Sequence, residues 1–106
     1  MMNTMDLHRT LKLNRLLAEL LGQDATLRQA LTLLMVAEAG DSGAEQASIV
    51  KATGSAQSTT SRNLQILCQD LKLAEFYLDP ADGRRRLVRL TKAGKNAIAK
   101  ITGAMG

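Results

Sequence analysis

A chain of 106 residues, 45% hydrophobic with one Tyr and one Phe, has room for one aliphatic, Leu- and Ala-rich core, and is too short for a separate catalytic domain. One Cys and one His exclude an internal disulfide framework and a zinc site of ordinary spacing, which fits a reducing cytoplasm. The formal charge is +4 and unevenly spread: seven of the 14 basic residues (Arg84, Arg85, Arg86, Arg89, Lys92, Lys95 and Lys100) follow Gly83 with no acidic residue among them, a field that draws polyanions. No apolar run approaches the roughly 18 residues that span a bilayer, and no basic segment followed by an apolar block opens the chain, so neither membrane insertion nor secretion is expected.

Residues 5–21 carry Leu7, Leu11, Leu13, Leu16, Leu17, Leu20 and Leu21 with charged residues between them, which predicts a helix ending at Gly22. That Leu content exceeds the needs of an exposed first helix, so the stripe serves either a partner chain or the internal core. His8 has no second imidazole near it and reads as a surface residue. A second helix is predicted from a cap at Asp24 or Thr26 to Ala39, with Leu27, Leu31, Leu34 and Met35 inward and Gly40 at its end. Asp41-Ser42-Gly43 makes a turn, and residues 44–53 a short helix with Ala47, Ile49 and Val50 available to pack.

Gly54 closes that helix. Ser55 is then expected to cap the next, which runs to Leu71 with Leu64, Leu67, Cys68 and Leu71 at i, i+3, i+4 and i+7, a stripe that extrapolates back to Thr60. The opposite face shows Ser58, Ser61, Arg62 and Gln65, the hydroxyls, amides and guanidinium that read base edges and grip phosphates. Two helices joined by a Gly-containing turn, the second polar at its front, have helix-turn-helix organisation.

After Leu73 the period falls from 3.6 to 2. Residues 75–78 and 85–90 read as strands joined by Asp79-Pro80-Ala81-Asp82-Gly83, with Val88 and Leu90 inward. Thr91 caps a last helix from Lys92 to about Ile101, with Ala97, Ile98 and Ile101 buried, and the tail from Gly103 to Gly106 is expected to fray. The five Met residues form no cofactor box, and no cofactor or metal is expected.

The predicted order is mainly α with a small β-hairpin, a winged helix-turn-helix occupying residues 1–106 as one domain. Two stretches sharpen the reading. Asp82-Gly83-Arg84 followed by Leu87-Val88-Arg89-Leu90-Thr91-Lys92-Ala93-Gly94 resembles the wing of the multiple-antibiotic-resistance-regulator (MarR) family, Asp-x-Arg, apolar strand, Leu-Thr-x-x-Gly. Ser58-Thr59-Thr60-Ser61-Arg62 resembles that family's recognition-helix motif, with Thr60 where a Val usually faces the core. The resemblance covers residues 26–100 and implies that Ser58, Thr59, Ser61 and Arg62 enter the major groove of double-stranded DNA while Arg84 enters the minor groove, steadied by Asp82. Gln57, at the start of the helix, joins that set, and Arg85 and Arg86 hold phosphates. The family usually has a Gly after the recognition helix, where this chain has Leu71-Lys72-Leu73.

The resemblance further implies a homodimer, here expected through residues 5–21, and a cytoplasmic repressor of bacterial or bacteriophage type that occludes a promoter. A small-molecule effector, common in the family, is not expected with so few aromatics to line a pocket. Cys68 lies on the apolar stripe and reads as core, although some relatives use a sensor thiol. A second class of function is a winged helix that docks its basic wing on an acidic protein partner. An enzyme is excluded by the lack of a carboxylate pair, nucleophile motif or phosphate-cradling Gly loop.

Overall fold

A computed structural model describes residues 3–105; Met1, Met2 and Gly106, the ends of the expected 1–106 domain, lie outside the described residues. The first helix, α1 (Thr4–Leu21), begins where the Asn3 side-chain oxygen accepts from the Asp6 N–H at 2.8 Å. Only part of its Leu stripe serves the internal core. Leu17 is buried, and Leu13, Leu16, Leu20 and Leu21 pack against the core, whereas Met5, Leu7 and Leu11 at the outer end are exposed.

Of the two candidate caps, Thr26 starts α2 (Leu27–Ala39): its hydroxyl accepts from the Gln29 N–H, and the Gln29 side chain accepts from the Thr26 N–H in return. The expected inward face needs correction. Ala30, Thr32, Leu33 and Val36 are buried, Leu34 and Met35 are partly buried, and Leu27 (79% exposed) and Leu31 (40%) face outward. Apolar residues surround most of this helix, so Leu content alone does not mark the core side. The buried side carries small Ala30, and Thr32 satisfies its own hydroxyl by donating to Arg28 O at 2.7 Å.

A 3-10 turn at Gly40–Ser42 follows, held by the Tyr77 hydroxyl, which donates to Ser42 O at 2.7 Å and lies 3.1 Å from Asp41 O. The next helix, α3, is Gln46–Thr53 rather than 44–53, because Ala44 forms a β-bridge with Val88 (N–H to O distances of 2.8 and 2.9 Å). Within α3, Ile49 is buried and Val50 partly so, but Ala47 is exposed. Gly54, left-handed at φ 68°, closes it and leads to α4 (Gln57–Gln65).

The hairpin pairs β1 (Ala74–Leu78) with β2 (Arg86–Leu90) in antiparallel register, Ala74 opposite Leu90 and Leu78 opposite Arg86. Leu87 and Val88 are both buried and Leu90 partly so, because one face of β2 meets the core and the other meets the 3-10 turn. The last helix, α5 (Lys92–Met105), runs past the expected end at Ile101, so Gly103 is helical where fraying was expected. Leu17, Ala30, Leu33, Val36, Ile49, Leu64, Leu67, Leu73, Ala74, Val88 and Ile101 form one buried cluster joining all these elements. No helix among the described residues is long and apolar enough to cross a membrane.

The Leu-Thr-x-x-Gly stretch has a geometric rationale. Thr91 receives the Gly94 N–H on its hydroxyl at 3.1 Å, donates that hydroxyl to Lys72 O at 2.8 Å, and sends its own N–H to Leu73 O at 3.0 Å. One residue thus caps α5 and ties it to the chain entering β1. Gly94 lies so close that an added Cβ would stand 1.9 Å from Leu73 O, which leaves room for no other residue.

Candidate nucleic-acid interface

The front of α4 is set by the chain just before it. Ser55 does not cap this helix: the residue at the cap position is Ala56, and no side chain caps it. Ser55 is instead buried, its N–H donating to the Thr53 hydroxyl at 3.2 Å and its own oxygen accepting from the Arg28 guanidinium at 2.8 Å. Gln57, the first helical residue, stands two positions after Ser55, one too many for a cap.

Along α4, Thr60, Asn63 and Leu64 are buried, while Gln57, Ser58, Thr59, Arg62 and Gln65 are exposed and Ser61 is half-buried. The helix continues into a wider turn, Ile66–Asp70, in which the Leu71 N–H reaches back five residues to Ile66 O at 2.9 Å. Leu67 is buried by that turn and Cys68 and Leu71 partly so, which bears out the apolar stripe. Burial pushes the Cys68 thiol up to about 11, the opposite of what a reactive thiolate needs. The turn into the wing is made by Lys72 at φ 55°, so a Lys adopts the left-handed backbone for which a Gly is suited.

At the wing tip, Asp79 Oδ1 accepts from the Ala81 N–H at 2.9 Å and Asp82 Oδ1 from the Arg84 N–H at 3.1 Å, the short-range bonds by which Asp builds turns. Asp82 also faces the Arg84 Nε at 3.5 Å, yet the Arg84 side chain is 95% exposed. Arg85 turns the other way, against Glu45 at the start of α3 and against Asp79 at 3.3 Å. Arg86 lies over the Phe76 ring at 4.1 Å and shares a groove with Gln46, Ala47 and Val50 of α3 and Gln57 at the start of α4.

The run of seven basic residues is less free than its count implies. Besides Arg85, Arg89 pairs with Glu75 at 2.9 Å and Lys95 with Asp41 at 2.8 Å. Glu75 raises the Arg89 pKa and Lys95 lowers that of Asp41, each chiefly through the hydrogen bond between them. Acidic partners 14 to 54 residues away in sequence neutralise these cations, and no local pattern reports them.

Solved structures share this arrangement. The S. aureus MepR–DNA complex is 28% identical over 92% of this chain and 75% of that one, with a TM-score of 0.73. MarR is 25% identical over 92% and 66%, at 0.64, and a probable transcriptional regulator from Pseudomonas aeruginosa is 26% identical over 92% and 70%, at 0.65. The chain has the winged helix-turn-helix fold of these MarR-type structures. It spans 66% of a mutant MepR bound to an oligodeoxyribonucleotide, so a third of that relative's length has no counterpart here. No family model and no curated protein matches the sequence.

Of the two stretches that carry the family resemblance, residues 58–62 lie on α4 and residues 82–90 on the tip and second strand of the β1–β2 hairpin. Thr60 occupies the inward position read from the motif, and Asp82 steadies the backbone of Arg84 as that motif implies. Glu45, Asp79 and Gln46, which border the wing and α4, were not singled out by sequence reasoning. Only folding brings Glu45 40 residues back along the chain to Arg85.

Proposed function

We propose that this protein is a sequence-specific regulator of transcription that binds double-stranded DNA as a homodimer and represses by occluding a promoter, in a bacterial-type cytoplasm. The observation that carries the reading is the exposed polar front of α4 (Gln57, Ser58, Thr59 and Arg62, with Ser61 half-covered) beside a wing whose tip presents a 95% exposed Arg84. A helix fits the major groove, where the Arg62 guanidinium pairs with O6 and N7 of a guanine. A hairpin tip fits the adjacent minor groove, where Arg84 reads the width of an A·T-rich stretch more than base identity. Similarity to the DNA-bound MepR supports this placement. The exposed Met5, Leu7 and Leu11 of α1 support a second copy as partner, which puts the two half-sites about 10 to 10.5 base pairs apart.

The test uses duplexes enriched from a random pool, then mutated one base pair at a time. Arg62→Ala should relax preference at one position of each half-site, by about 1 to 3 kcal/mol of discrimination, whereas Arg84→Ala should cost most where A-tracts flank the site. Equal losses on every duplex would mean that both arginines only hold phosphates. Log affinity should fall with log salt by about 0.9 per phosphate neutralised. A slope near zero would favour the alternative, a wing docked on an acidic protein.

A further inference from the structure

Resting on the DNA-binding reading, we propose that Arg85 is a positioning residue: it locks the wing to the start of α3 so that Arg84 is held ready for the minor groove, and it does not itself hold phosphate. Arg84 and Arg85 are adjacent in sequence but opposite in circumstance. The Arg84 side chain is 95% exposed and meets one carboxylate at 3.5 Å, whereas that of Arg85 is 48% exposed and sits between two, Glu45 and Asp79. One guanidinium between two carboxylates leaves a local charge of about −1, which repels a phosphate. The planar fork of Arg suits this job, since separate nitrogens serve each partner: Nη2 meets Glu45 and Nη1 meets Asp79.

The location of the contact is mechanical. Glu45 stands at the cap position of α3, but its carboxylate caps nothing there and reaches the wing instead. Its neighbour Ala44 is bridged to Val88, which attaches the second strand of the wing to the chain entering α3. That bridge and the Tyr77 hydroxyl hold the strands; the Arg85 contact, one residue before β2, holds the end of the tip loop. Arg85 also closes the tip loop, its O accepting from the Asp79 N–H at 2.8 Å and its N–H donating to Asp82 O at 2.9 Å. The strut therefore acts on the residue next to Arg84, and lost order there is an entropic cost of binding DNA.

Glu45→Gln separates the two roles of Arg85 because they predict opposite signs. If Arg85 is a strut, Glu45→Gln should weaken binding to a duplex enriched by the unaltered chain about twofold to fivefold, as an exposed ion-pair network warrants, with the salt slope unchanged. Arg85→Gln should do the same, the double variant should lose no more than either single one, and both effects should vanish in an Arg84→Ala background. Urea midpoints measured alongside should stay close to that of the unaltered chain; a fall large enough to account for the lost affinity overturns the proposal. So does tighter binding by Glu45→Gln, as expected on removing an acid beside a phosphate contact, or an Arg85→Gln slope flattened by about 0.9. A loss that persists undiminished without Arg84 also overturns it. An unaltered chain that binds no duplex defeats the DNA-binding reading itself, and the strut with it, an outcome distinct from normal binding with unresponsive variants.

Discussion

Thr60 should be a stability defect that one substitution repairs. It lies on the inward face of α4, 1% exposed, and its hydroxyl has no hydrogen-bond partner among the described residues. A buried hydroxyl stripped of water and left unpaired costs about 1 to 3 kcal/mol. Val has nearly the same shape, is β-branched as Thr is, and sits near Thr in helix propensity, so Thr60→Val removes that cost without a cavity, overpacking or a new rotamer penalty. The expected gain is about 1 kcal/mol, which in a domain of this size raises the melting temperature by roughly 4 to 8 °C. The assay is urea unfolding at fixed protomer concentration, since dimerisation would make stability depend on concentration: the midpoint should rise while the slope m stays unchanged. Thr60→Ser is the control, because it keeps the hydroxyl and deletes the methyl, and should lose about 1 kcal/mol. A midpoint for Thr60→Val that is unchanged or lower would show that the hydroxyl is satisfied, and the account of this position would be wrong. Operator affinity should not change, since the side chain faces away from the proposed DNA surface.

Other substitutions probe the junctions and the remaining face of the molecule. Gly94→Ala drives a methyl group against Leu73 O and should destabilise by about 3 kcal/mol in the same unfolding assay; a loss below the noise would mean that α5 shifts freely. Lys72→Gly relieves a left-handed Lys but loosens the unfolded chain, for a net gain of about 0.5 kcal/mol, and a clear loss would show that Lys72 makes a contact worth more than its backbone strain. Leu7→Glu with Leu11→Glu should give a folded monomer with weakened DNA affinity, whereas Leu17→Glu should unfold the chain because Leu17 belongs to the core; a monomeric unaltered protein in light scattering refutes the dimer. Cys68 should react slowly with a thiol reagent at pH 7 to 8. Its folded pKa of about 11 lies above the ordinary 9.0, so the partly buried thiol contributes stability that is fully present below pH 9 and lost as pH rises through 11. Labelling at the rate of a free thiol would refute that burial.

Local chemistry decided much of this protein, and there the sequence was sufficient. The helices and hairpin follow from periods of 3.6 and 2, and the two faces of α4 and the wider turn after it follow from the spacing of Thr60, Leu64 and Leu67 against Ser58 and Arg62. The turn at Asp82-Gly83-Arg84 and the cap at Thr91 are made by side chains bonding within three residues, so they too were legible. What the sequence could not decide depends on partners distant along the chain. Which side of α2 is core was settled by where α3, α4 and β2 pack, because a helix apolar around most of its girth has no single stripe to read. Ser55 has the chemistry of a cap, but Arg28 and the buried bend before α4 took its side chain for another purpose. The basic run after Gly83 reads as one field in sequence; tertiary structure divides it, because Glu45, Asp41 and Glu75 arrive from other elements to neutralise Arg85, Lys95 and Arg89, while Arg84 is left projecting into solvent.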